Sequence, residues 1–194
     1  MKSSHPFGHC PCPCRRPATA GRTRSRCSWT GRRRWAGRWT PRDLLGKAHQ
    51  VWLEAAQDVP FEDSSAVRPF PVRPGRRVAP GWWWSSTTGR LVAYGSGVIR
   101  TELMLLDRDP AVVALACRPV ELVWREENRV VGHAPQLTAR LQDGSGLLLD
   151  CAGRSGPSAR LAARARAVAA AAKTVGWSYR LAGPPDPVLV ANVR

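Results

Sequence analysis

At 194 residues the chain has room for one ordinary core and a tail, which excludes two full domains. Thirty Lys plus Arg against fourteen Asp plus Glu give a formal charge of +16, and every basic residue except Lys2, Lys47 and Lys173 is Arg, whose planar donor fork suits phosphate, so the expected partner is a polyanion. Cys10, Cys12, Cys14, Cys27, Cys117 and Cys151 do not form the framework of a small secreted domain; with no apolar run near 18 residues and no signal-like opening, this predicts a cytoplasmic protein with no membrane partner.

Residues 1–45 carry Lys2 and ten Arg against Asp43 alone, a net charge of +10. They mix Pro, Gly, Ser, Arg and Cys without helical or strand periodicity, so they are expected to form a disordered basic arm. The run Arg32-Arg33-Arg34-Trp35-Ala36-Gly37-Arg38-Trp39 has two readings. Arg32, Arg33, Arg34 and Arg38 would neutralise phosphates while Trp stacks on bases; alternatively, the same composition is what a GC-rich gene read in the wrong frame produces. His5, His9, Cys10, Cys12 and Cys14 alternate with Pro11 and Pro13 and lack a second ligand pair, which argues against zinc.

Residues 46–90 are expected to form a connector and Trp-rich lead-in, beginning with a helical or extended segment around Ala48 to Gln57. Pro69, Pro71, Pro74 and Pro80 block regular pairing between Val67 and Pro80. Trp82, Trp83 and Trp84 on a strand would point alternately to opposite faces, so at least one faces away from the core. The preferred reading is that they plug a hydrophobic edge, ahead of a stacking role on DNA.

Residues 91–194 are expected to form one α/β domain. Ser96 caps a helix to about Asp107 with Ile99, Leu103 and Leu106 on one face, and Asp109-Pro110 ends it. Strands are predicted at Val112 to Cys117, Val120 to Trp124, Arg129 to His133, Leu137 to Leu141 and Leu147 to Cys151, with a polar turn at Glu126 to Asn128 and a hairpin at Asp143-Gly144-Ser145-Gly146. The last of these strands is nearly all apolar, as in a sheet covered on both faces. An Ala-rich helix opening at Pro157 runs to Val175, stops at Gly176, and packs Leu161, Val168 and Val175 while exposing Arg160, Arg164 and Lys173 to DNA or a partner. Trp177 to Leu181 is the final strand.

Helix, mostly antiparallel strands, helix, strand is the order of a restriction-endonuclease-like core. The segments Trp82-Trp83-Trp84-Ser85-Ser86-Thr87-Thr88-Gly89-Arg90, Leu103-Met104-Leu105-Leu106-Asp107-Arg108-Asp109-Pro110, His133-Ala134-Pro135, Gly176-Trp177-Ser178-Tyr179-Arg180 and Asp186 to Arg194 go further. Over residues 59–194 the chain resembles the TnsA-like endonuclease subunit of heteromeric transposases, in its actinobacterial form. That resemblance implies DNA cleavage at transposon ends, Mg²⁺ as cofactor, and as partners a transposase catalytic subunit and an ATPase regulator of transposition. It also implies that the chain continues in its relatives past Arg194.

The resemblance implies a Glu where this chain has Ile99, an Asp where it has Gln136, and an acid followed two residues later by a cation where it has Asp150 and Ala152. Two of the three positions lack the charge a hard cation needs and the third lacks its basic partner, so the expected subunit is catalytically degenerate. Ile99→Glu, Gln136→Asp and Ala152→Lys together are expected to recover nicking, which no one of them alone would do. The alternative is an active Mg²⁺-dependent nuclease in which Asp150, the best single metal and catalytic candidate, is joined by Glu102 one turn after Ile99. Otherwise Glu102 is a solvated residue near Arg100 or Arg108, and His133 a structural histidine. A third reading, from another class, is a non-functional gene remnant.

Overall fold

The computed structural model describes residues 38–41, 51–52, 59–68, 70, 80–126 and 128–193, all within the contact unit that spans residues 34–194. In chain order the elements are β1 (Arg38–Pro41), β2 (Val51–Trp52), a single 3₁₀ turn (Phe61–Asp63), β3 (Gly81–Ser85), β4 (Arg90–Tyr94), α1 (Gly97–Asp107), β5 (Val112–Cys117) and β6 (Val120–Glu126). They continue as β7 (Arg129–His133), β8 (Leu137–Leu141), β9 (Gly146–Cys151), α2 (Ala159–Thr174), β10 (Ser178–Ala182) and α3 (Pro187–Val193). The result is an α/β fold with few helices and one mixed sheet. Among the described residues no helix is long and apolar enough to cross a membrane.

Three sheets are present among the described residues: β2-β1-β6-β7, β10-β9-β8-β5, and the separate ribbon β3-β4. Every pairing is antiparallel except β9 with β10. A parallel pair needs a crossover, and α2 supplies it. Although only Arg118 and Pro119 separate β5 from β6, those strands lie in different sheets. Arg118 makes the corner with a left-handed φ of 48°.

The mixed sheet is covered on both faces, as the apolar run of β9 predicts. On one face α1 contributes Ile99, Leu103 and Leu106 to a cluster with Leu115, Leu149 and Cys151. On the other, α2 and β6 join Phe61, Leu148 and Trp177. Gly146 is required here, because a Cβ would come within 2.3 Å of the Trp177 ring.

Helix boundaries follow local chemistry. The Ser96 hydroxyl accepts from the Ile99 N–H and starts α1 as expected. For α2 the cap is Ser158, whose hydroxyl accepts from Leu161 N–H, so the helix begins two residues after Pro157; Gly176, at φ 71°, turns the chain out. Val168 and Val175 are buried and Leu161 is half-buried, and Ala165, Ala167, Ala171 and Ala172 are buried with them. Arg160 and Lys173 are exposed as predicted and Arg164 is half-buried.

Three expectations are corrected. The basic arm cannot extend to residue 45, because residues 38–41 are a strand between β2 and β6. The turn before β7 is shorter than expected, because β6 runs on to Glu126. Trp82 and Trp84 do not plug an edge: they are 68% and 62% exposed, and only Trp83 of the three turns inward. Residues 1–37, most of Ala48 to Gln57 and residues 71–79 of the connector lie outside the described residues.

Candidate functional site

Asp150 is the one acid in β9 and is fully buried. Alternation places it on the same face as Leu148, toward α2 and β6. Its Oδ2 lies 2.7 Å from His133 Nε2 and accepts from the Tyr179 hydroxyl at 3.0 Å; Oδ1 accepts from the Gln136 backbone N–H at 3.1 Å. For the Asp150 oxygen to accept in this contact, His133 carries its hydrogen on Nε2. Burial, the Asp150 charge and the hydrogen bond to it together push the Tyr179 hydroxyl well above its ordinary range, so it stays a donor.

Gln136 works as a tie. Its Oε1 accepts from Cys151 N–H at 2.8 Å, and its carbonyl accepts from Arg118 N–H at 3.2 Å and from Cys117 Sγ at 3.0 Å. The side chain where the resemblance implies a carboxylate thus fastens the end of β9 to the start of β8. Ile99 is buried in the cluster on the α1 face, and Ala152 is buried with its N–H donated to Ala182. Both Cys117 and Cys151 are free thiols whose pKa burial pushes up to about 12. They are inert at neutral pH.

Glu102 is not the solvated residue that α1 alone suggests. It is buried and accepts from Arg180 at 2.7 Å. Burial raises its pKa, and the Arg180 guanidinium pulls it partly back. Glu102 and Arg180 lie on the α1 face of the mixed sheet, where Leu149 and Cys151 also point, whereas Asp150 and Tyr179 lie on the opposite face. The structure therefore joins Gln136 to Asp150 but separates Asp150 from both Ile99 and Glu102. Among the described residues, no three His, Cys, Asp or Glu side chains come together as a metal-ligating group.

A second feature lies on the surface. Between β7 and α2 runs an open groove of about 700 Å³ lined by Arg68, Arg129, Arg160 and Arg164 with Glu126. Arg68 pairs with Glu121, and Arg129 lies 3.3 Å from Glu126. Burial and the nearby charges of Arg160 and Arg68 lower the Arg164 pKa, the mark of a cation crowded by its own kind. Such a cluster favours an anion that spreads its charge over several oxygens. Arg160 and Arg164 are readable from helical spacing; Arg68 and Arg129 arrive from distant segments and carry no local signal. Arg32, Arg33 and Arg34 lie outside the described residues, and Arg38 belongs to β1.

No protein-family model, curated protein or solved structure matches this chain.

Proposed function

We propose that the chain is a DNA-associated protein of the TnsA-like kind, with a restriction-endonuclease-like core that holds DNA without cutting it. The arginine groove carries this reading: Arg68 and Arg129 line it while paired with Glu121 and Glu126, and Arg160 and Arg164 add guanidinium groups, one turn apart on α2, that suit the spaced charges of a phosphate backbone. The order α1, antiparallel strands, α2, β10 is in keeping with such a core. A transposase catalytic subunit and an ATPase regulator are the partners that follow from the resemblance.

Mg²⁺ does not fit the residues present. Asp150 already accepts from three groups on both oxygens, and the next buried carboxylate, Glu102, faces the other side of the sheet against Arg180. A hard divalent ion would have to displace those partners while holding one carboxylate only. No hydrolytic step is therefore assigned to the Asp150 cluster.

The test combines binding with cleavage. Fluorescence anisotropy should detect duplex DNA binding that Arg160→Ala with Arg164→Ala weakens, while supercoiled plasmid stays intact in Mg²⁺ or Mn²⁺. The combination Ile99→Glu, Gln136→Asp and Ala152→Lys should also leave it intact, since position 99 faces away from Asp150; this revises the expectation that joint restoration recovers nicking. Metal-dependent nicking by the unmodified chain, abolished by Asp150→Ala, would overturn the proposal.

A further inference from the structure

The β3-β4 ribbon divides its two faces between different tasks. One face is fixed to the end of α1 by a single carboxylate: Asp107 accepts from Trp83 Nε1 at 3.0 Å, Ser85 Oγ at 2.5 Å, Ser86 N–H at 3.2 Å and Thr87 N–H at 3.1 Å. The Thr87 hydroxyl adds a bond to the Asp107 carbonyl at 3.0 Å. Trp82 and Trp84 stand on the other face, and the register sets them opposite Ala93 and Leu91. They are 68% and 62% exposed, and Leu91 is 55% exposed.

Holding two indoles in water on a tied-down ribbon is unfavourable unless something covers them. A second copy of the chain is a poor candidate. Trp82, Trp84 and Leu91 together offer on the order of 400 Å², about half the roughly 800 Å² per partner that a stable pair needs. A flat π-system needs far less area. Residues two apart on a strand are separated by roughly 6.5–7 Å, close to twice the ~3.4 Å step between stacked bases of one strand. The two acids near Trp82 are both compensated, Asp63 by Arg90 at 3.5 Å and Glu62 by Arg140 at 3.4 Å, so they do not repel a polyanion approaching a chain of net charge +16.

We propose that Trp82 and Trp84 form a stacking platform for unpaired nucleobases, so that this protein holds single-stranded as well as duplex DNA. The inference rests on the DNA-associated reading and adds a second surface to it, separate in kind from the arginine groove. Bases stack on the indole faces, while the Asp107 clamp keeps the ribbon from collapsing onto them. Because stacking needs only a π face, the platform tolerates any sequence.

The experiment measures affinity of the full chain for a labelled 12-mer of dT and for a mixed-sequence duplex, each by anisotropy at the same ionic strength. Trp82→Ala with Trp84→Ala should weaken dT binding by roughly 30-fold or more. Duplex binding should change less than about twofold, and Trp82→Phe with Trp84→Phe should keep most of the dT affinity. Equal dT affinity for the Ala variant and the unmodified chain overturns the platform and leaves the duplex reading standing; no binding of either DNA overturns both. Size exclusion adds a further arm: a dimer of the unmodified chain that the Ala variant loses would assign the face to self-association and overturn the platform. The unfolding midpoint of the Ala variant should stay near that of the unmodified chain, because the removed rings are exposed and the ribbon is held from its other face.

Discussion

Asp150 buries a carboxylate completely, and His133, Tyr179 and the Gln136 N–H make that tolerable. Removing the acid strands three donors at once. Asp150→Ala should therefore lower stability by about 3–5 kcal/mol, since each buried donor left without its acceptor costs about 1–3 kcal/mol. Tyr179→Phe removes one charge-assisted bond and should cost about 1.5–3 kcal/mol. Urea denaturation of both variants checks the ranking; an Asp150→Ala protein within about 1 kcal/mol of the unmodified chain would refute the idea that these contacts, which join β7 of one sheet to β9 and β10 of another, stabilise the fold. The Glu102 and Arg180 pair poses a different problem, because its partners are 78 residues apart in sequence. Nothing local in α1 announces that Glu102 is buried, so it reads as solvated until β10 is in place.

Where neighbours decide the structure, the elements are readable. Ser96 caps α1, and β5, β7 and β8 begin and end where apolar alternation meets turn residues. β1 escapes such reading, since Arg38–Pro41 is only four residues long, ends in proline and follows a basic run, and its strand conformation shows in its pairing with β2 and β6. Of the candidate site, Asp150 stands out as the lone acid of an apolar strand, but its partners do not, because β7, the link before β8 and β10 supply them. The ribbon β3-β4 makes a pH-dependent prediction. Burial would raise Asp107, yet hydrogen bonds from Ser85, Trp83 and Thr87 outweigh it and hold the carboxyl at about 2, below its ordinary 3.8. A depressed folded value contributes stability above about pH 4 that is lost as pH falls toward 2. Acidification across that window should cost on the order of 1 kcal/mol, after discounting for partial exposure. Asp107→Asn should flatten this part of the profile, measured as the urea midpoint at pH 5 and pH 2.5; an unchanged profile would remove Asp107 as the clamp.

At the scale of the whole molecule, charge is divided between a tail and a groove. Residues 1–37 hold Lys2 and eight Arg with no acid, a charge of +9. Truncation to test the arm should stop there, because removing residues as far as 45 would also strip β1 from its sheet. The chain starting at Arg38 should bind duplex DNA with a shallower salt dependence than the full chain. Arg160→Ala with Arg164→Ala in that background should reduce the slope of log K against log salt by about 1.8, or 0.9 per lost phosphate contact. A truncated chain with the slope of the full one would show that the arm releases no counterions. The parallel pairing of β9 with β10 has a last consequence, for the growing chain. Until residues 178–182 are made and α2 has folded back, the Leu-rich β9 has one unpaired edge. During synthesis that edge is a template for any neighbouring strand, so aggregation of unfinished chains, more than loss of contacts in the finished fold, should limit how much of this protein a cell accumulates.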